Sequence, residues 1–352
     1  KRLTPGARQA HLLDLATAIA ERRDEISEVQ ARDTGQPVER IARDFDYRPF
    51  FTYPDGHVAW ITAPSGAGAQ GHPRFGHGSR YVNVIDVGQS YVQDFVKRGV
   101  MAVTNDPEVA ASTHLNYEKV GLTVAACDEL GLPLGEEERK KSFVGMSGRK
   151  GRGVKADDLL NILERNALEE VKKRDRGYDE AEEREIAHTI AVGAVRYFLL
   201  KFTRNSVIAF DFKEALSFQG ESGPYIQNAT VRLNSIFAKL EAEGIPTDVT
   251  PAPDRLAELL GAAENADFWP LVYLAAQFPD VLDRAAEQLE PAVVAKYAFQ
   301  LAQTMNEFYH VHPVKDEPDP DRRALLVTII GAVRATLVAA LAALGITAPR
   351  RM

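Results

Sequence analysis

Residues 324–345 read ALLVTIIGAVRATLVAALAALG, the longest apolar run in the chain. Its length is nearly enough to span a bilayer. Arg334 stands at its middle, with Thr328 and Thr336 on either side. A charge at that depth is costly in lipid, so the run is read as a buried bundle helix and no membrane partner is expected.

Working outward, the sequence from Val154 onward is almost wholly helical in pattern. Apolar spacing predicts helices over 155–173, 179–203, 223–243, 254–263, 267–287, 291–311 and 321–344. Gly244-Ile245-Pro246 and the Pro-Asp cluster at 316–321 separate some of them. Many helices with short connections imply an antiparallel bundle.

Upstream the texture changes. Tyr81 to Val87 is a short apolar run with β-branched residues, expected to be a buried parallel strand, and Tyr91 to Val100 is the helix after it. Residues 61–79 are rich in Gly, Pro, Ala and Ser and read as a linker. Residues 1–60 read as helices, opened by Thr4-Pro5 and stopped after the second helix by Gly35-Gln36-Pro37. The expected organisation is therefore 1–60 helical, 61–79 linker, 80–153 partial α/β region and 154–352 helical domain, mainly α overall. The α/β part has too few strands to bury both faces of a sheet. It is expected to be the least stable part, with proteolysis near 60–80 leaving a resistant C-terminal fragment.

Composition narrows the function. The chain has 352 residues and a formal net charge of −8, so a nucleic-acid face has to be local, built from clustered Lys and Arg. No DNA partner is expected. Cys127 is the only cysteine. It excludes an intrachain disulfide framework and a multi-cysteine metal site, and fits a reducing cytoplasm. No metal site is expected.

The sharpest local signal is Met146-Ser147-Gly148-Arg149-Lys150-Gly151, a glycine-punctuated turn with two adjacent cations. Glycines let backbone approach an anion, and cations stabilise charge developing on transferring phosphates. Arg139, Lys140, Lys141, Arg152 and Lys155 surround it in an otherwise acidic chain. Taken alone, such a turn reads as a solvated basic surface loop, since small Gly-Lys clusters are common.

Order and context extend this. The turn resembles the Lys-Met-Ser-Lys-Ser signature of class I aminoacyl-tRNA synthetases, in the form typical of arginyl enzymes. Val84-Ile85-Asp86-Val87-Gly88-Gln89-Ser90 and His114-Leu115-Asn116-Tyr117-Glu118 are similar to segments that precede it in that family. Downstream, Glu214-Ala215-Leu216-Ser217-Phe218, Glu221-Ser222-Gly223-Pro224-Tyr225-Ile226-Gln227, Asn306-Glu307-Phe308-Tyr309-His310 and the ending at Ala348-Pro349-Arg350-Arg351-Met352 resemble further arginyl motifs, in the right order. The resemblance covers roughly 80–352, the C-terminal half of such an enzyme.

It implies a partial Rossmann-like catalytic remnant followed by a DALR-type anticodon-binding domain. It implies an ATP-dependent ligase that attaches L-arginine to tRNA-Arg in the cytoplasm, with Mg2+ accompanying ATP and no tightly bound cofactor. Ser147, Arg149 and Lys150 fall on the catalytic turn, and His114, Met146 and Gly148 on ATP-binding positions. Asp86 and Gln89 fall near arginine. Tyr225, Tyr309 and Met352 fall on the anticodon face, and Asn228 stands where many members have a second aromatic. Read from the residues alone, each tyrosine is a core or boundary aromatic. No His-Ile-Gly-His-like motif and no Tyr-x-x-x-Asp segment occurs, and Gly88 stands where arginine is common, so the catalytic domain is expected to be incomplete.

Two further readings stay open. The chain is alternatively a tRNA-binding module that does not charge tRNA, or an inactive fragment or fusion. Residues 1–60, through Arg2-Leu3-Thr4-Pro5 and Asp33-Thr34-Gly35-Gln36-Pro37, resemble an N-terminal helical segment of aldehyde dehydrogenases. That segment carries none of that family's catalytic groups, and Cys127 reads as a buried, neutral cysteine.

Overall fold

The structure is a computed structural model, and it describes residues 46–64, 66–72, 81–104, 112–146, 153–174 and 176–352. The chain forms two compact units, one ending at Tyr117 and one beginning at Glu118. The helices expected before Asp46 lie outside the described residues.

In the first unit, β1 (Asp46–Thr52) pairs antiparallel with β2 (Val58–Ala63). This corrects two expectations, since 46–60 was read as helical and 61–79 as a linker. The reason is local. Tyr47, Phe50, Phe51, Val58, Trp60 and Ile61 are aromatic or β-branched, suited to a pleated surface. Pro49 and Pro54 oppose a helix, and Pro49 sits where the register shifts. Gly56, at φ +87°, takes the left-handed turn position that closes the hairpin.

β3 (Tyr81–Asp86) and β4 (Ser112–Tyr117) form a two-stranded parallel sheet, joined by α1 (Ser90–Thr104). Strand, helix and parallel strand follow the expected order. Lys97 Nζ donates to the Ser112 carbonyl at 2.9 Å and ties helix to strand. Val84 remains 61% exposed on this sheet, as a two-stranded parallel pair cannot cover its own faces.

The second unit opens with β5 (Val120–Leu122), α2 (Val124–Glu129), α3 (Glu136–Arg139) and β6 (Val144–Gly145). Then follow α4 (Ala156–Lys173), α5 (Glu180–Leu200), β7 (Ile208–Phe210) and α6 (Phe212–Ala215). The bundle continues with α7 (Gly223–Ala242), α8 (Pro253–Gly261), α9 (Phe268–Ala276) and α10 (Phe278–Gln288). It closes with α11 (Ala292–Val311) and α12 (Pro320–Ala343). β5 lies between β6, antiparallel, and β7, parallel.

The helix at 267–287 is a correction, because it is broken into α9 and α10 at Gln277. Pro279 lacks an N–H and its ring clashes with the carbonyl four residues back, so it can only begin a new helix.

Two apolar cores hold this unit. One runs through α7 to α12, including Leu233, Phe268, Leu301 and Leu326. The other joins the small sheet to α4 and α5 through Leu122, Val144, Leu163, Ile190 and Phe210. α5 and α7 meet closely at paired glycines, where a Cβ on Gly223 would come within 2.3 Å of the Gly193 carbonyl oxygen. The buried Tyr197 hydroxyl donates to the Ala295 carbonyl at 3.0 Å, joining α5 to α11. α12 is long and apolar enough to cross a membrane. It instead buries Leu326, Ile330, Val333, Leu337 and Leu341 in the first core. The Arg334 guanidinium rests 4.0 Å from the centre of the Phe237 ring.

Candidate nucleic-acid interface

The start of α7 is set by its cap. Ser222 Oγ accepts from the Tyr225 N–H at 3.2 Å, and Pro224 occupies the first turn, where its missing N–H costs nothing. This fixes Tyr225 in the first turn. Asn228 and Arg232 follow at i+3 and i+7, on the same face. The opposite face is anchored by the buried Gln227, whose Nε2 donates to the Thr189 carbonyl at 3.0 Å and to the Thr347 carbonyl at 2.7 Å.

α11 supplies the facing groups. The Phe299 ring meets Tyr225 in a tilted pair with centroids 5.4 Å apart. Asn306 Nδ2 donates to the Tyr225 hydroxyl at 3.0 Å, and Asn306 Oδ1 accepts from Arg232 Nη1 at 3.2 Å. The Arg232 guanidinium lies 5.1 Å from the centre of the Tyr309 ring. Tyr225, Asn306, Arg232 and Tyr309 are therefore one connected set across two helices. Both tyrosines are half-buried, packed on the first core by one face, while Arg232 and Asn228 are exposed. Such a surface offers ring faces, an amide and a cation, the group types that single-stranded bases and their phosphates meet.

Met352, expected on this face, lies elsewhere. It is 5% exposed and belongs to the second core. An unbranched apolar side chain suits such a buried position.

Sequence reading assigned no part to Arg232 or Phe299, and quoted Asn306 only as a letter of a motif. The available signal was the i+7 spacing of Arg232 from Tyr225. The cross-helix pairing itself depends on packing that one helix alone does not specify.

The residues expected upstream divide between the two units. Asp86 caps a 3-10 turn at the end of β3, its Oδ1 accepting from the Gly88 N–H at 2.7 Å, and Gln89 in that turn is exposed. His114 on β4 donates from Nε2 to the Ile85 carbonyl at 3.0 Å, which fixes its tautomer. It opens on a groove of about 170 Å³ shared with Asn83, Gln93, Asp94 and Lys97; Asp86 and Gln89 do not line that groove. Met146 is half-buried against the second core. Ser147, Gly148, Arg149 and Lys150 lie outside the described residues.

Two cations of the expected basic cluster are already engaged. Arg139 holds Asp128 through both terminal nitrogens, at 2.9 and 3.1 Å, and that hydrogen bond raises its affinity for the proton. Lys140 pairs with Glu137 at 2.8 Å. Cys127 is fully buried, and burial pushes its thiol up, away from the thiolate a nucleophile needs. Among the described residues no group of three or more His, Cys, Asp and Glu side chains is placed to hold a metal.

Residues 226–352 match the family described as the DALR anticodon binding domain. Over 307 residues the chain is 33% identical to the arginine–tRNA ligase of Thermococcus kodakarensis, covering 85% of this chain and 43% of that protein. It is 32% identical over 315 residues to that of Pyrococcus abyssi, covering 89% of this chain and 45% of that one. The solved arginyl-tRNA synthetase of Thermus thermophilus superposes with a TM-score of 0.67 at 27% identity, over 88% of this chain and 46% of its own. The chain thus spans less than half the length of the relatives it matches. In sequence and in fold it is similar to part of the arginine–tRNA ligases, a part that ends in the DALR anticodon binding domain.

Proposed function

We propose that this chain holds the anticodon stem-loop of tRNA-Arg for an arginine–tRNA ligase. The observation that carries the reading is the linked set Tyr225–Asn306–Arg232–Tyr309, in a domain matched by an anticodon-binding family. Half-exposed rings stack on unpaired bases, Asn228 and Asn306 offer hydrogen bonds to base edges, and Arg232 answers phosphate. Hydrogen bonds hold Tyr225 and Arg232 in place before RNA arrives, which lowers the ordering cost of binding.

The ligation itself belongs to the whole protein. Arginine carboxylate attacks the α-phosphorus of ATP, pyrophosphate leaves, and a ribose hydroxyl at the tRNA 3′ end then takes the arginyl group and releases AMP. In this reading Ser147, Arg149 and Lys150 stabilise the departing pyrophosphate, with Mg2+ and the positions Met146, Gly148 and His114 serving ATP. Asp86 and Gln89 border arginine. The cytoplasm is the compartment in which such an enzyme meets its tRNA.

Filter-binding titration against tRNA-Arg and an unrelated tRNA tests the binding claim. Tighter binding of tRNA-Arg is expected; equal affinity for both, or none, overturns it. Pyrophosphate exchange with ATP, arginine and tRNA tests the chemistry separately. Exchange assigns charging to this chain, whereas binding without exchange leaves it a tRNA-holding module.

A further inference from the structure

α9 carries a feature that the anticodon reading does not use. It buries Phe268, Leu271 and Leu274 on one side, while Trp269 stays 49% and Tyr273 66% exposed on the other. Trp269, Tyr273 and Ala276 fall at i, i+4 and i+7, one stripe of the helix. The indole is fixed, since Trp269 Nε1 donates to the Leu260 carbonyl at 3.2 Å. A rigid, half-exposed Trp beside an exposed Tyr is the kind of pair that anchors protein interfaces.

Charge selects the partner. Residues 254–290 hold eight acidic side chains against Arg255 and Arg284; of the acids, Asp267 and Glu290 are taken up by His312 and Arg204, and Arg322 of α12 lies over the buried Phe268 ring. Arg255 is itself engaged by Glu258, Asp319 and Asp321. This region accounts for most of the chain's net charge of −8. A phosphate backbone is repelled here. A second copy of the same face is repelled as well, because a two-fold contact sets acid against acid.

We propose that the α9 face docks a lysine- or arginine-bearing amphipathic helix of a partner protein. Its apolar side covers Trp269 and Tyr273, and its cations meet carboxylates on the segments that flank α9 in the chain, Glu264 before it and Asp280 after it.

The test uses the full chain with Trp60→Phe, so that Trp269 alone reports. The probe is a synthetic amphipathic helix of leucine and lysine, with a leucine–glutamate counterpart as control. Saturable, blue-shifted Trp269 emission is expected with the lysine peptide and none with the glutamate peptide. Tyr273→Ala is expected to weaken lysine-peptide binding about tenfold and Tyr273→Phe less than about twofold, with tRNA-Arg affinity and melting temperature unchanged in both. Should Tyr273→Ala fail to fold, Tyr273→Arg, which sets like charge against the probe, takes its place with the same expected loss. Equal binding by Tyr273→Ala overturns the proposal in favour of charge alone, and binding of the glutamate peptide overturns it in favour of unspecific apolar contact. Loss of tRNA-Arg binding in Tyr273→Ala, or a dimer in sedimentation that this variant abolishes, overturns it in favour of RNA or a second copy.

Discussion

Replacing Tyr309 by alanine removes a half-buried ring that lies 5.1 Å from the Arg232 guanidinium. Stacking of a base on an aromatic side chain contributes ~1–3 kcal/mol, which converts to roughly 5- to 150-fold in Kd. The ring also positions Arg232, and a cation–π contact at an exposed site adds ~0.5–1 kcal/mol to holding that cation. The expected loss for tRNA-Arg therefore lies toward the upper part of the stacking range. Tyr309→Phe is the discriminating control. It keeps the ring and loses only a hydroxyl that has no hydrogen-bond partner among the described residues, so its Kd stays within about twofold of the parent. The folded state survives both changes, because truncating a partly buried ring at a bundle surface costs only ~1–2 kcal/mol of stability. The assay is filter binding at one fixed salt concentration, since phosphate contacts make affinity salt-dependent, with thermal unfolding run in parallel. A folded Tyr309→Ala that binds tRNA-Arg within twofold of the parent refutes the reasoning. So does a Tyr309→Phe as damaged as the alanine variant.

Gly223→Ala drives a methyl toward the Gly193 carbonyl, at 2.3 Å in the parent geometry, and is expected to lower stability by ~1–3 kcal/mol in denaturant titration; an unchanged midpoint contradicts the close α5–α7 contact. Met352→Ser places a hydroxyl in the second core and is expected to cost ~2–3 kcal/mol in the same titration, with any loss of tRNA affinity following the loss of fold. Full stability with lost tRNA binding instead makes Met352 a direct RNA contact. Burial pushes the Tyr297 phenol up to about 12 from an ordinary value of 10.0. A folded-state value above the unfolded one favours the protonated fold, so this contribution is whole below pH 10 and is lost as pH rises toward about 12. Urea unfolding at both ends of that window is expected to show a smaller pH-dependent loss in Tyr297→Phe than in the parent, and equal slopes contradict it.

Long helices in the second unit were legible because each carries apolar residues that recur at helical spacing and are buried in the cores. α7, α11 and α12 fall within a residue or so of their expected bounds. The break at Gln277 was written in Pro279 and was outweighed by continuous apolar spacing across it. The hairpin at 46–63 was hidden by helical patterning just before it, although its prolines and aromatics argued for strands. At the candidate site the tyrosines were legible through motif resemblance, whereas their partners were not. Arg232 and Asn306 lie 74 positions apart, and only the packing of α7 on α11 brings them to 3.2 Å. Met352 shows the reverse case, in which a motif letter suggested a surface role and the apolar demand of the second core took the side chain inside.

Nuclease footprinting of tRNA-Arg on the intact chain tests the central claim most directly. Protection centred on the anticodon nucleotides, lost in Tyr309→Ala and in Tyr225→Ala, is the predicted result. Protection confined to other parts of the tRNA, or an anticodon footprint that both variants leave intact, contradicts the assignment of the α7–α11 face.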